Sequence, residues 1–259
     1  MPDLTLGYEL PGQWLGTAVA TLEDGHDMDT SMVEAMIFDL DGTLVDTNEA
    51  HVQAWYNAFR DFGYDVPQSR IVREIGKGGD KLVPSILGEE GEARDGEALR
   101  AAHGAHFLTI AKKEKFRVFP GTEALMGELR RRRIATAVAT SSKKEQLEAV
   151  VASSGLDVEA LVDKVVTGSD AAESKPAPDL IHAALAKLGS VPRRSVMVGD
   201  TPYDGQACAR AGVSFLGLLC GGRPPELLTE AGALARYADP ADLLLHLDEA
   251  LRLPVAATS

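Results

Sequence analysis

The chain has 259 residues, enough for one large core or for a core with a smaller companion, in an ordinary globular composition. A net charge of −13 and a pI near 4.9 argue against a nucleic-acid backbone as partner, because that affinity comes from lysine and arginine displacing counterions. An anionic small molecule then needs a compact site where the local field is reversed.

The N-terminal 1–31 lacks periodicity and ends in the acidic "EDGHDMDTS", which reads as an extension, partly disordered or tacked to the surface by Trp14 and Leu15. No basic residue precedes Arg60, and the apolar "WLGTAVATL" at 14–22 is too short to span a bilayer. Neither export nor membrane insertion is expected. Cys208 and Cys220, the two cysteines, build neither a disulfide framework nor a metal cluster and read as small apolar residues in a reducing cytoplasm.

From Glu34 the pattern alternates between strand and helix. Strand candidates are "AMIFDL" (35–40), "IATAVAT" (134–140), "DKVVTG" (163–168), "SVMVGD" (195–200) and "SFLGLL" (214–219), short apolar runs of the kind covered on both faces. Amphipathic helices follow in "GTEALMGELRRR", "KKEQLEAVVASSG", "PDLIHAALAKLG", "YDGQACARAG" and "PADLLLHLDEALRL". The stretch 48–118 breaks the rhythm with helical patterns and no convincing strand. The expected architecture is α/β: a Rossmann-like open parallel sheet over 32–47 and 119–259, with a small α-helical cap inserted over 48–118.

Polar signals fall at four strand ends: Asp39 with Asp41, Thr140 with Ser141, Lys175, and Asp200 with Asp204. A parallel sheet gathers such ends in space. Two carboxylates at close quarters become tolerable around a hard divalent cation, and oxygen ligands suit Mg²⁺. Asp39 is placed to bind the metal through one oxygen and attack phosphorus with the other, and Asp41 to protonate the leaving oxygen and then activate water. Gly42 permits the turn after the pair.

Lys175, the Thr140 hydroxyl and the backbone N–H groups around Ser141 and Ser142 supply positive charge and donors for phosphoryl oxygens. "SKKE" at 142–145 reads as a capping box. Lys143 either leans into the pocket or is a solvated first-turn residue. Asp200 is a metal ligand. Asp204 is a supporting acid or a helix-start residue favoured by the dipole.

"DLDGTLVD", "VATSS", "SKPAPD" and "VGDTPYDG" together resemble the four motifs of the haloacid dehalogenase (HAD) superfamily of phosphotransferases, across most of 34–220. The helical insertion is similar to the cap of its phosphoglycolate phosphatase and β-phosphoglucomutase branch. The resemblance implies Asp39 as nucleophile, Asp41 as acid/base with its main-chain carbonyl on Mg²⁺, Thr140 and Lys175 on phosphate, and Asp200 on metal. Asp41 argues against dehalogenation, because the dehalogenases proper lack an aspartate there.

Three functions compete: a Mg²⁺-dependent phosphatase of small phosphomonoesters, a sugar phosphomutase using the same site, and a noncatalytic signalling module. Receiver domains order their acidic, Thr and Lys residues differently and need no cap. "IGKGGDK" at 75–81 lacks phosphate-loop spacing; it reaches substrate through Lys77 or Lys81, or is a plain turn. "RRRR" at 130–133 reads as a solvated helix end, and His51, His103 and His106 as structural or exposed. Substrate identity and oligomeric state are not written in the motifs.

Overall fold

The computed structural model describes residues 33–253, so the expectations for 1–31 lie outside the described residues. Six parallel strands form the main sheet: β1 (Ala35–Phe38), β4 (Ala135–Ala139), β5 (Lys164–Val166), β6 (Ser195–Gly199), β7 (Ser214–Leu218) and β8 (Ala233–Tyr237), in spatial order β5-β4-β1-β6-β7-β8. The chain runs outward from β1 through β4 to β5, then returns to the other side of β1 for β6, β7 and β8. That reversal puts β1 at a switch point, with its carboxyl end between those of β4 and β6.

Burial of β1 on both faces explains its uninterrupted apolar sequence. Met36 and Phe38 face one layer, against Leu125, Met126 and Leu129 of α4 (Thr122–Arg131) and Leu147 and Val150 of α5 (Lys144–Ser154). Ile37 faces the other, with Leu180, Ile181 and Ala184 of α7 (Asp179–Leu188) and Ala207, Cys208 and Ala211 of α8 (Pro202–Ala211). Period-two alternation thus feeds two cores from one strand.

The five expected strands are present, each trimmed at one or both ends. The strand β8 was not expected, because "ALARY" is an alternately exposed edge rather than an apolar run. The short α6 (Val158–Leu161) precedes β5, and α9 (Pro225–Glu230), α10 (Pro240–Leu245) and α11 (Leu247–Ala250) complete the core.

Between β1 and β4 the chain inserts α1 (Asn48–Asp61), α2 (Gln68–Glu74) and α3 (Gly79–Ala111), the last broken at Gly88 by a left-handed φ of 73°. Val52, Trp55, Phe59, Ile71, Leu82 and Leu99 give these helices a cluster of their own. A two-stranded antiparallel ribbon, β2 (Val45–Asp46) with β3 (Arg117–Val118), closes the base of the insertion, with Arg117 Nη2 donating to Asp46 Oδ2 at 2.9 Å. No helix among the described residues is long and apolar enough to cross a membrane. Arg131 and Arg132 pair with Glu128, and Arg130 donates to the carbonyls of Ala160 and Leu161, as a helix end does. Cys208 is buried and Cys220 half-buried, both as free thiols.

Candidate active site

The sheet brings Asp39, Lys175, Asp200 and Asp204 together. Asp39 follows β1, Asp200 follows β6, and Lys175 comes from the loop between β5 and α7. Lys175 Nζ lies 2.7 Å from Asp39 Oδ1 and 2.8 Å from Asp204 Oδ1, with only 1 % of the residue exposed. A lysine is this deeply buried only when paired. Burial opposes its charge, but Asp204 and Asp39 overcome that and hold its pKa above the usual lysine value.

Asp204 is oriented by its helix. Thr201 caps α8, its backbone N–H donating to Asp204 Oδ2 at 3.0 Å and its hydroxyl at 2.6 Å. Asp204 therefore starts the helix and also pairs with Lys175, so the two readings that the sequence offers for it do not exclude each other. Asp200 accepts from Thr43 Oγ1 at 2.9 Å and from Asn48 Nδ2 at 3.0 Å. Asn48 also donates to the Gly221 carbonyl at 3.0 Å, joining the start of α1 to the loop after β7.

Asp39, Asp200 and Asp204 can offer oxygens all within 4.8 Å of one another. Lys175 matches only part of this charge. Burial first, then the neighbouring acids, pushes Asp39 well above the usual carboxylate range despite Lys175. Asp200 is pushed up to about 7 by burial and Asp204, against the donors Asn48 and Thr43. The room is built in as well: a Cβ at Gly42, where φ is +80°, would stand 2.4 Å from Asp200 Oδ2, and one at Gly221 1.8 Å. Buried, charge-deficient oxygens in a cleared cradle fit a hard divalent cation, with Asp39 and Asp200 the residues to hold it.

Asp41 takes another direction. Its Oδ1 accepts from Thr47 Oγ1 at 2.7 Å, and its Oδ2 from Ser142 Oγ at 2.9 Å and Thr140 Oγ1 at 3.1 Å. His51 Nε2 is 3.2 Å from Oδ1. Burial works against ionisation of Asp41, but the His51 ring and these donors outweigh it and keep its pKa below the usual carboxylate range.

Thr140, expected on phosphate, thus faces Asp41 here, and its Oγ1 also accepts the Ser142 N–H at 3.0 Å. The Ser141 hydroxyl is buried without a partner. Lys143 is exposed at the start of α5 and lines the same cavity. The expected capping box shifts by one residue. Gln146, not Glu145, accepts the first N–H, from Lys143 at 2.9 Å, because Ser142 is committed to Asp41.

His51 and His103 are buried, as a structural role expects, and both also line the cavity, with His51 Nδ1 3.3 Å from His103 Nε2. Phe107 stacks on His51 and Trp55 on His103, fixing both rings. Burial and then His51 hold His103 well below the usual histidine range. The signal was the spacing by four of Thr47, which precedes α1, and of His51 and Trp55 on one face of that helix, directly after the acidic motif. His106, by contrast, lies against Asp61 at the surface.

A cavity of about 480 Å³ opens above Asp39 and Asp41, with Trp55, Lys77, Arg100 and Leu108 of the insertion on its walls. Lys77 lines this cavity, but its ammonium turns to Glu74 and Ser85, and Lys81 turns to Glu173 at 3.1 Å. The loop 75–79 is held over the strand ends: Arg223 Nη2 donates to the Ile75 carbonyl and Tyr203 Oη to the Arg73 carbonyl, both at 2.7 Å. Asp80 accepts the Ser174 N–H at 3.2 Å, next to Lys175.

A switch-point sheet with strand-end acids, a buried lysine and a helical insertion defines a class of hydrolase, and the comparisons agree. Residues 36–218 match the family model of haloacid dehalogenase-like hydrolases. A phosphoglycolate phosphatase of Rhodospirillum rubrum is 32 % identical over 82 % of this chain and 90 % of that one. A phosphorylated carbohydrates phosphatase of Thermotoga maritima is 30 % identical over 85 % of this chain and 100 % of that one. The crystal structure of a hydrolase from Pseudomonas syringae superposes with a TM-score of 0.77 at 32 % identity, covering 83 % of this chain and 98 % of that one. The chain belongs to the haloacid dehalogenase-like hydrolase family.

Proposed function

We propose that this HAD-type phosphatase hydrolyses small phosphomonoesters through an aspartyl-phosphate on Asp39, with Mg²⁺ held by Asp39 and Asp200 and the helical insertion acting as a cap. The observation that carries the reading is the buried Asp39–Lys175–Asp204 ion-paired row beside Asp200, at the floor of a cavity also lined by Asp41. Bound Mg²⁺ would supply the positive charge that lets an anionic phosphoryl group approach a carboxylate.

An Asp39 oxygen attacks phosphorus as the bond to the leaving oxygen breaks, and Asp41, once it has taken up a proton against the hold of His51 and Thr47, gives that oxygen its proton. Asp41, now ionised, takes a proton from water as the water attacks the acyl phosphate, releasing inorganic phosphate and restoring Asp39. Lys175 neutralises charge on the phosphoryl oxygens, while Asp204 and Thr201 hold its ammonium in place. The Thr140 hydroxyl and the backbone around Ser141 are the nearest donors from β4, with Lys143 at the rim. Thr47 and His51 orient Asp41, and their hold on its charged form favours the proton-accepting half of the cycle.

The test is phosphate release from a panel of phosphomonoesters with and without Mg²⁺, comparing wild type with Asp39→Asn. Mg²⁺-dependent release that vanishes in the variant is expected. Isomerisation of sugar phosphates without net release would replace hydrolysis by phosphoryl transfer to a sugar hydroxyl.

A further inference from the structure

We infer, resting on the phosphatase reading above, that Gln146 and His103 are positioning residues for Asp41: they fix which ring nitrogen of His51 carries the proton, so that His51 donates to Asp41 and does not accept from it. The four side chains form a row that leaves the core, crosses the insertion and returns. Gln146 belongs to α5, His103 to α3 and His51 to α1, all three buried, and Asp41 follows β1.

The row has a direction, and a backbone group sets it. Gln146 Oε1 accepts the Lys143 N–H at 2.9 Å, so the amide turns its NH2 to His103 Nδ1, 3.5 Å away. An NH2 group only donates. His103 Nδ1 therefore accepts, and the proton of this ring sits on Nε2. Burial and then His51 hold His103 well below the usual histidine range, which keeps the ring to that one proton. His103 Nε2 donates in turn to His51 Nδ1 at 3.3 Å, and the His51 proton is left on Nε2, 3.2 Å from Asp41 Oδ1. Phe107 on His51 and Trp55 on His103, each with ring centroids 4.1 Å apart, hold both ring planes in place.

The opposite order has no end point. If Asp41 donated to His51 Nε2, the His51 proton would sit on Nδ1 and the His103 proton would be driven to its own Nδ1, donor against donor at the Gln146 NH2. A buried mismatch of that kind forfeits a hydrogen bond. A proton on Asp41 is thus kept from the imidazole and left for the leaving oxygen. The same donation steadies the carboxylate that next takes a proton from water.

The experiment reads ring protons and turnover together. Two-bond 1H–15N spectra of the full chain labelled with 15N-histidine, with Mg²⁺ at about pH 8, locate the proton on each ring, and His51→Gln and His103→Gln identify the two signals. Both rings should carry it on Nε2. Gln146→Glu keeps the size and the bond from Lys143 but puts an acceptor where the donor was. It should move the His51 proton to Nδ1 and lower kcat by about tenfold or more, with KM changed by less than about twofold. Gln146→Met, which fills the space without a polar group, should leave His51 a mixture of the two forms and lower kcat less. Wild-type His51 protonated on Nδ1, a Gln146→Glu variant with His51 or kcat unmoved, or a folded Gln146→Met that loses as much kcat as Gln146→Glu, overturns the inference and leaves hydrolysis standing. Release of phosphate by wild type from none of the esters overturns the phosphatase reading and, whatever the ring protons, the role assigned here with it.

Discussion

The floor of the site and its roof handle charge in opposite ways. On the floor, Asp39, Asp200, Asp204 and Lys175 come from segments far apart in sequence and are almost fully buried, with acids in excess of the cation they share. On the roof, Lys77 and Arg100 each pair with a carboxylate a few residues away on the same segment, at partial exposure. A floor left short of positive charge is poised for a cation and a phosphoryl group. The two cations of the roof are each neutralised where they stand, whereas Lys143, exposed at the start of α5, lines the same cavity without an ion pair among the described residues. Charge imbalance marks where chemistry is expected, and charge balance marks where shape decides.

Substitutions sharpen that contrast. The largest effect is expected at Asp39: Asp39→Asn should lower kcat by about a thousandfold or more, read by single-turnover phosphate release, since Asp39 is the proposed nucleophile. Lys175→Met leaves Asp39 and Asp204 buried without a counter-charge. It should cost about 3–5 kcal/mol in urea denaturation, besides abolishing turnover. Full stability in that variant would break the account of the floor.

His51→Ala should lower kcat by about 10- to 100-fold. Because His51 holds Asp41 in its charged form, its loss raises the pKa of Asp41, and the acidic limb of the pH–rate profile should move to higher pH. A profile that falls in height without moving would make His51 a packing residue only.

Metal and pH give a smaller effect. The folded metal-free protein keeps a proton on Asp200 up to about pH 7, whereas an unfolded aspartate releases it near pH 4. The unfolded state therefore binds fewer protons across that window, and stability falls as pH rises through it. Melting in a chelator should drop by about 5 °C between pH 5 and 8, and Mg²⁺ should restore most of it at the alkaline end. Smallest is Thr201→Val, which removes one cap bond to Asp204 and should cost about 1 kcal/mol.

Much of the floor was legible in the chain, and less of the roof. Asp39 and Asp200 end short apolar runs, and Lys175 and Asp204 lie in the segments that follow such runs, so the rule that parallel strands gather their carboxyl ends was enough to group them. The partner chosen by each side chain was not readable. Thr140 faces Asp41 rather than open space, Ser142 leaves its capping position for the same carboxylate, and Asn48 reaches Asp200 across 152 residues. His51 reads as an ordinary helix residue until α1 is seen to start against Asp41. β8 escaped because an edge strand, wetted on alternate residues, lacks the continuous apolar signature.

The order of apolar and polar residues by itself determined an open parallel sheet, a helical insertion after the first strand, and four polar signals at strand ends. Alternation of hydrophobicity is a local property, and it dictates which faces must be covered. Tertiary structure alone decided which charges end in surplus and which in balance, because burial, donor geometry and distances between remote segments arise only once the core has closed. Three acids crowded below and two ion pairs closed above are facts of packing.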